Sequence, residues 1–117
     1  MKALFFVLNK TEMLDDVLTE FTKRHINGAT ILESAGMARL LSNKHDEDEI
    51  PFLGSVRNFL NPERQKNNVI LTVIRDDQLD EAIEAIESVV GDLCCKDTGV
   101  VFSVPIDFSK GIFGVGQ

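Results

Sequence analysis

Cys94 and Cys95 are the two thiols of the chain, and they are neighbours. Adjacent cysteines close no useful loop and their side chains diverge, so they do not form a disulfide framework. Without a Cys-x-x-Cys spacing or a nearby histidine, they also lack the pattern of a zinc site. They are read as inert thiols suited to a reducing compartment, with a redox-dependent role as the sharper alternative. His45 opens the run HDEDE (His45 to Glu49), which contains metal-ligand types. Consecutive charges point in divergent directions, so that run reads as a solvated tip. His25 reads as a surface residue at a helix end, where an imidazolium suits the helix dipole. No serine, histidine and acid constellation appears in a motif context, and no Gly-x-x-x-x-Gly-Lys-Ser/Thr loop is present. Catalysis is therefore not expected, and no catalytic or metal-binding residue is assigned.

The elements that must position any site follow from composition and periodicity. A chain of 117 residues with 44% apolar and 26% charged residues fits one globular domain, taken as residues 1–117. Nineteen acidic residues against twelve basic ones give a net charge of −7, which repels a nucleic-acid backbone. No stretch reaches the roughly 18 uninterrupted apolar residues of a membrane span, and Met1 to Asn9 is short for a signal peptide's apolar region. A cytoplasmic protein that is not membrane-embedded is expected.

Lys2 to Asn9 (KALFFVLN) reads as a strand. Thr11 is a cap candidate, acidic Glu12, Asp15 and Asp16 suit a helix N-terminus, and Leu14, Val17, Leu18 and Phe21 recur at helical spacing, which predicts a helix over about Glu12 to Arg24. Asn27 and Gly28 break it before a second strand, Ala29 to Ser34. The order then repeats: strand Asn68 to Ile74, capping candidates Asp76 and Asp77, a helix face of Leu79, Ala82, Ile83, Ile86 and Val90, a stop at Gly91, and strand Gly99 to Val104. Two strand-helix-strand units fold most economically as a ferredoxin-like βαββαβ domain of the α+β class. Its four-stranded antiparallel sheet would carry both helices on one face. The other face would be left bare; strand positions such as Phe5, Val7, Ile70, Val101 and Phe102 suggest that both faces carry apolar side chains, so self-association through the sheet is expected.

Between the halves lies an insertion, about residues 37–67, that outruns ordinary loop lengths and reads as functional. Its Phe52 to Leu60 stretch (FLGSVRNFL) has apolar residues at near-helical spacing. It fits a satellite core, with a partner-recognition surface as the alternative.

Certain runs resemble the PII signal-transduction (nitrogen regulatory) family. They are Leu14-Asp15-Asp16-Val17, Asn27-Gly28-Ala29-Thr30, Gly36-Met37-Ala38-Arg39, Val73-Ile74-Arg75-Asp76-Asp77 and Thr98-Gly99-Val100-Val101-Phe102, in matching order. Together they span roughly two-thirds of the chain by short motifs. The resemblance implies a homotrimer that binds a small effector at subunit clefts, an adenine nucleotide (ATP, ADP or AMP) or a related anionic metabolite, and that controls a partner enzyme or transporter. The long T-loop would be about Met37 to Lys66 and the phosphate-cradling B-loop about Cys94 to Gly99. By position, the adenine pocket would include Gly28 and Thr30, the loop base Gly36, Met37, Ala38 and Arg39, and the cradle Lys96, Asp97, Thr98 and Gly99, with Lys110 across the cleft. The family's lysine in its glycine-lysine-isoleucine-phenylalanine strand falls on Val100, and its glutamine after the loop arginine falls on Leu40. The chain has no tyrosine, which excludes the uridylylation some members undergo. A trimeric interaction module without ligand binding is the alternative function, and a small-molecule enzyme on the same fold a further one.

Overall fold

The computed structural model describes residues 1–37, 66–95 and 98–112. The element order is β1 (Lys2–Leu8), α1 (Leu14–Lys23), β2 (Thr30–Ser34), β3 (Asn67–Ile74), α2 (Leu79–Val90) and β4 (Gly99–Pro105). Each lies within about a residue or two of its expected span. The helix starts differ in detail. Thr11 does not cap α1 through its side chain but opens a short 3-10 turn, Thr11–Met13, so the α-helix proper begins at Leu14. A matching turn, Asp76–Gln78, precedes α2. There Asp76 and Asp77 lie inside the turn, and the Gln78 side-chain oxygen accepts the Arg75 N–H at 2.9 Å instead. Gly91, at φ 88°, ends α2 where expected.

The strands form one four-stranded sheet in the order β2-β3-β1-β4, every neighbouring pair antiparallel. With two helices this is an α+β arrangement compatible with a ferredoxin-like fold. Alternation along each strand sorts residues to opposite faces. On one face lie Leu4, Phe6 and Leu8 of β1 with Ile70 and Ile74 of β3, all buried in one cluster with Val17 and Phe21 of α1 and Ala82, Ala85, Ile86 and Val90 of α2. Both helices therefore cover the same side. Burying a Phe, Leu or Ile side chain of this kind stabilises the fold by about 1.5–3 kcal/mol each, so this cluster supplies the main driving force. The helices are also joined at the surface, where the Arg24 guanidinium meets Glu20 at 3.1 Å, Glu84 at 3.2 Å and Glu81 at 3.4 Å.

The opposite face is a grid of residues in register, all apolar except Thr30. One row runs Leu32, Val69, Val7, Val100 and the next Thr30, Leu71, Phe5, Phe102, with Val73, Ala3 and Val104 in a third. Leu32, Val100, Phe102 and Val104 are 52%, 58%, 49% and 41% exposed. No element among the described residues covers them. The tip His45 to Glu49 and the stretch Phe52 to Leu60 lie outside the described residues, as does most of the insertion. Among the described residues no helix is long and apolar enough to cross a membrane.

Candidate functional site

After Lys23 the chain leaves α1 through Arg24 and His25, the latter at φ 65°, and Ile26 tucks into the core with its N–H on the Phe21 carbonyl at 2.8 Å. Asn27, Gly28 and Ala29 then run exposed along the surface to β2. Pairing between β2 and β3 stops at Thr30↔Leu71, yet β3 continues to Ile74. Past that point no strand among the described residues lies beside β3 on this flank. A cleft of 340 Å³ occupies the gap, walled by His25 to Thr30 on one side and Leu71 to Ile74 on the other, with Gln78 and Ile112 at its margins.

Two side chains tie the outer wall to the domain. The Thr72 hydroxyl donates to the Gly28 carbonyl, and the Gln78 amide nitrogen reaches the His25 carbonyl at 3.5 Å. Behind the same wall lies a second, more apolar cleft of 220 Å³ lined by Leu18, Phe21, Thr22 and Ile31. Among the described residues neither lining contains a carboxylate, lysine or arginine, and His25 is the ionisable side chain of the larger one. Apolar walls with main-chain polar groups suit an uncharged, flat part of a ligand, held by hydrogen bonds rather than by ion pairing. Any charged part of that ligand must find its cations elsewhere.

The residues expected to bind ligand fall into separate groups. Gly28 and Thr30 share the large cleft. Lys110 is exposed in the segment after β4, two residues before Ile112 at the cleft margin. Gly36 and Met37 stand at the other end of β2, where Gly36 lies near the Asn67 side chain and Met37 is 76% exposed. Thr98 is buried and Gly99 opens β4, paired with Leu8. Ala38, Arg39, Lys96 and Asp97 lie outside the described residues. Because β2 and β4 are opposite edges of the sheet, three strand spacings of about 4.8 Å, roughly 14 Å in all, separate the Thr30 group from the Gly99 group. Within one chain these two groups do not meet.

Val100 projects on the open apolar face beside Val7. Cys94 and Cys95 are both exposed free thiols in the turn before β4. Their turn is organised by Asp92, whose carboxylate accepts the Cys94 N–H at 2.9 Å and whose carbonyl accepts the Cys95 N–H at 3.0 Å. The negative charge of Asp92 and its hydrogen bond raise the Cys94 thiol above its ordinary range. No group of three or more His, Cys, Asp or Glu residues able to hold a metal occurs among the described residues.

Sequence reading missed Thr72, Gln78 and Ile112. Thr72 did carry a signal: it is the hydroxyl-bearing residue on the inward-facing positions Ile70, Thr72 and Ile74 of an otherwise apolar strand. Gln78 and Ile112 reach the cleft only through tertiary structure. No protein-family model matches the chain, and no curated protein matches it.

Proposed function

We propose that this protein is a PII-like signal-transduction regulator with a ferredoxin-like fold. In this reading it assembles as a homotrimer through its open sheet face, and it binds an adenine nucleotide or a related anionic metabolite where copies meet. The insertion, about residues 37–67, passes occupancy on to a partner enzyme or transporter, in nitrogen or carbon metabolism. The observation that carries the proposal is the separation of the expected ligand residues onto opposite sheet edges. Gly28 and Thr30 line a cleft beside β2, whereas Thr98 and Gly99 begin β4, so a site using both sets has to be built from two copies. The apolar grid supports the same reading, because eight or more apolar side chains on a sheet face that no described element covers mark an assembly surface. The described cleft lining carries no carboxylate, lysine or arginine and suits a nucleobase, and the acidic chain must then supply cations for phosphate from Arg39, Lys96 and Lys110.

Val100 favours a second reading, a trimeric interaction module without ligand, since this position extends the apolar grid where a lysine would contact phosphate. A thermal-shift panel with ATP, ADP and AMP separates the two. A nucleotide that binds only the folded protein at about 100 times its Kd adds roughly 2.7 kcal/mol of stability and raises Tm. Absence of any shift across the panel at millimolar nucleotide favours the module, and a monomeric mass in sedimentation analysis at micromolar protein overturns both readings.

A further inference from the structure

We infer that His25 is a ligand-contacting side chain of the large cleft, kept at the end of α1 in a backbone conformation that a glycine would hold with less strain. The inference rests on the reading of this cleft as a ligand site. α1 ends in a complete Schellman turn: the Ile26 N–H bonds the Phe21 carbonyl at 2.8 Å and the His25 N–H bonds the Thr22 carbonyl at 3.1 Å, while Ile26 and Phe21 share the buried core. Such a turn puts the residue just past the helix in the left-handed region, where glycine has no Cβ to crowd the backbone. α2 follows that rule and ends on Gly91 at φ 88°. α1 departs from it with His25 at φ 65°, the one non-glycine residue of positive φ among the described residues. Outliers of this kind gather where a side chain serves a site.

The fold makes no visible use of the imidazole. Main-chain groups hold the turn, for the His25 N–H is on the Thr22 carbonyl and the His25 carbonyl accepts the Gln78 amide nitrogen at 3.5 Å. The ring makes no hydrogen bond or ion pair among the described residues, and His25 is exposed. Yet His25 lines the cleft. With both of its main-chain polar groups engaged, the ring nitrogens are what this residue has left to offer a ligand. A neutral imidazole carries one donor and one acceptor. It therefore suits a ligand edge that presents both, such as the amine and the unprotonated ring nitrogen of a nucleobase.

Two variants separate the ring from the backbone. His25→Ala removes the imidazole and keeps the Cβ, whereas His25→Gly removes both. We expect the alanine variant to melt within about 2 °C of wild type and the glycine variant at least about 3 °C above the alanine one, the shift that relief of a strained residue produces in a domain of this size. In parallel, calorimetric titration with ATP should show binding weaker by about tenfold or more in both variants. An alanine variant that melts more than about 3 °C below wild type overturns the inference, because the ring then serves the helix end. Equal melting of the two variants overturns it too, since no strain is then stored at this position, as does ATP binding within about threefold of wild type in both. Wild type that fails to bind ATP overturns the nucleotide reading of the cleft instead, and the melting comparison still decides whether the fold has a use for the ring.

Discussion

Phe5 and Phe102 stack face to face across the β1–β4 pairing, their ring centroids 4.9 Å apart and their planes inclined by 11°. The pair lies on the face that no helix among the described residues covers, and Phe102 keeps 49% of its surface exposed. Offset stacking is worth about 0.5–1.5 kcal/mol beyond area burial, so the two rings hold each other flat and present one broad apolar plate. A plate of this kind gives the assembly proposal its most direct test.

Replacing Phe102 with glutamate places a charge in the centre of that plate. If the proposed trimer forms through this face, wild type should sediment as a trimer and the variant, with native far-UV circular dichroism, as a monomer at micromolar concentration. A trimer that survives the substitution would exclude the open sheet face from the interface.

Gly99→Ala tests the joint between the cysteine turn and β4. Gly99 sits at φ 146°, and a Cβ there would fall 2.8 Å from the Phe6 ring and press on the Val7 carbonyl. Phe6 is fully buried, so the ring has no free volume into which to retreat. Overpacking with backbone strain costs about 1–3 kcal/mol, and chemical denaturation should show a lowered midpoint with an unchanged slope.

Arg24→Met removes the charge that three carboxylates share between α1 and α2. The hydrogen bond to Glu20, with the charges of Glu81 and Glu20 behind it, raises the Arg24 pKa further above its already high value, so the guanidinium stays charged at every working pH. The variant leaves Glu20, Glu81 and Glu84 facing one another. It should melt below wild type at low salt, and the gap should narrow as salt screens the repulsion, a trend that melting curves at two ionic strengths will record.

Asp92→Asn should speed the chemistry of Cys94. The Asp92 carboxylate raises the thiol pKa, which lowers the thiolate fraction near neutrality, and the thiolate is the reactive form. In a Cys95→Ser background, alkylation of Cys94 by iodoacetamide at pH 7.5 should be faster with asparagine at position 92. The midpoint of its pH–rate curve should also move down. Equal rates would show that the carboxylate does not govern the thiol.

The strands and helices were legible because each has a strong local pattern. The β1 segment alternates around Leu4, Phe6 and Leu8, and α1 repeats Val17 and Phe21 on one face. The repeated strand-helix-strand order was enough to predict an antiparallel sheet with one face covered. The starts of the helices were less legible, since a Thr or Asp before a helix is compatible with a side-chain cap or with a 3-10 turn, and here the turn is found at both. The cleft was partly legible: Gly28 and Thr30 entered through the family resemblance, but the gap itself exists because β2 begins two residues beyond Gly28 while β3 runs on. That mismatch of strand lengths is a tertiary fact. Thr72 illustrates the same limit, for its polarity was visible and its partner, 44 residues distant, was not.

Ser34 and Asn67, the last residue of β2 and the first of β3, face each other as a registered pair. Residues directly opposite in an antiparallel pair have Cα atoms about 4.5–5.5 Å apart, so both ends of the intervening stretch are clamped at neighbouring points of the sheet. The entropy of closing such a stretch grows only with the logarithm of its length. Chain closure therefore sets only a weak limit on the length of sequence this junction can carry, which makes it a natural socket for grafting a different recognition sequence.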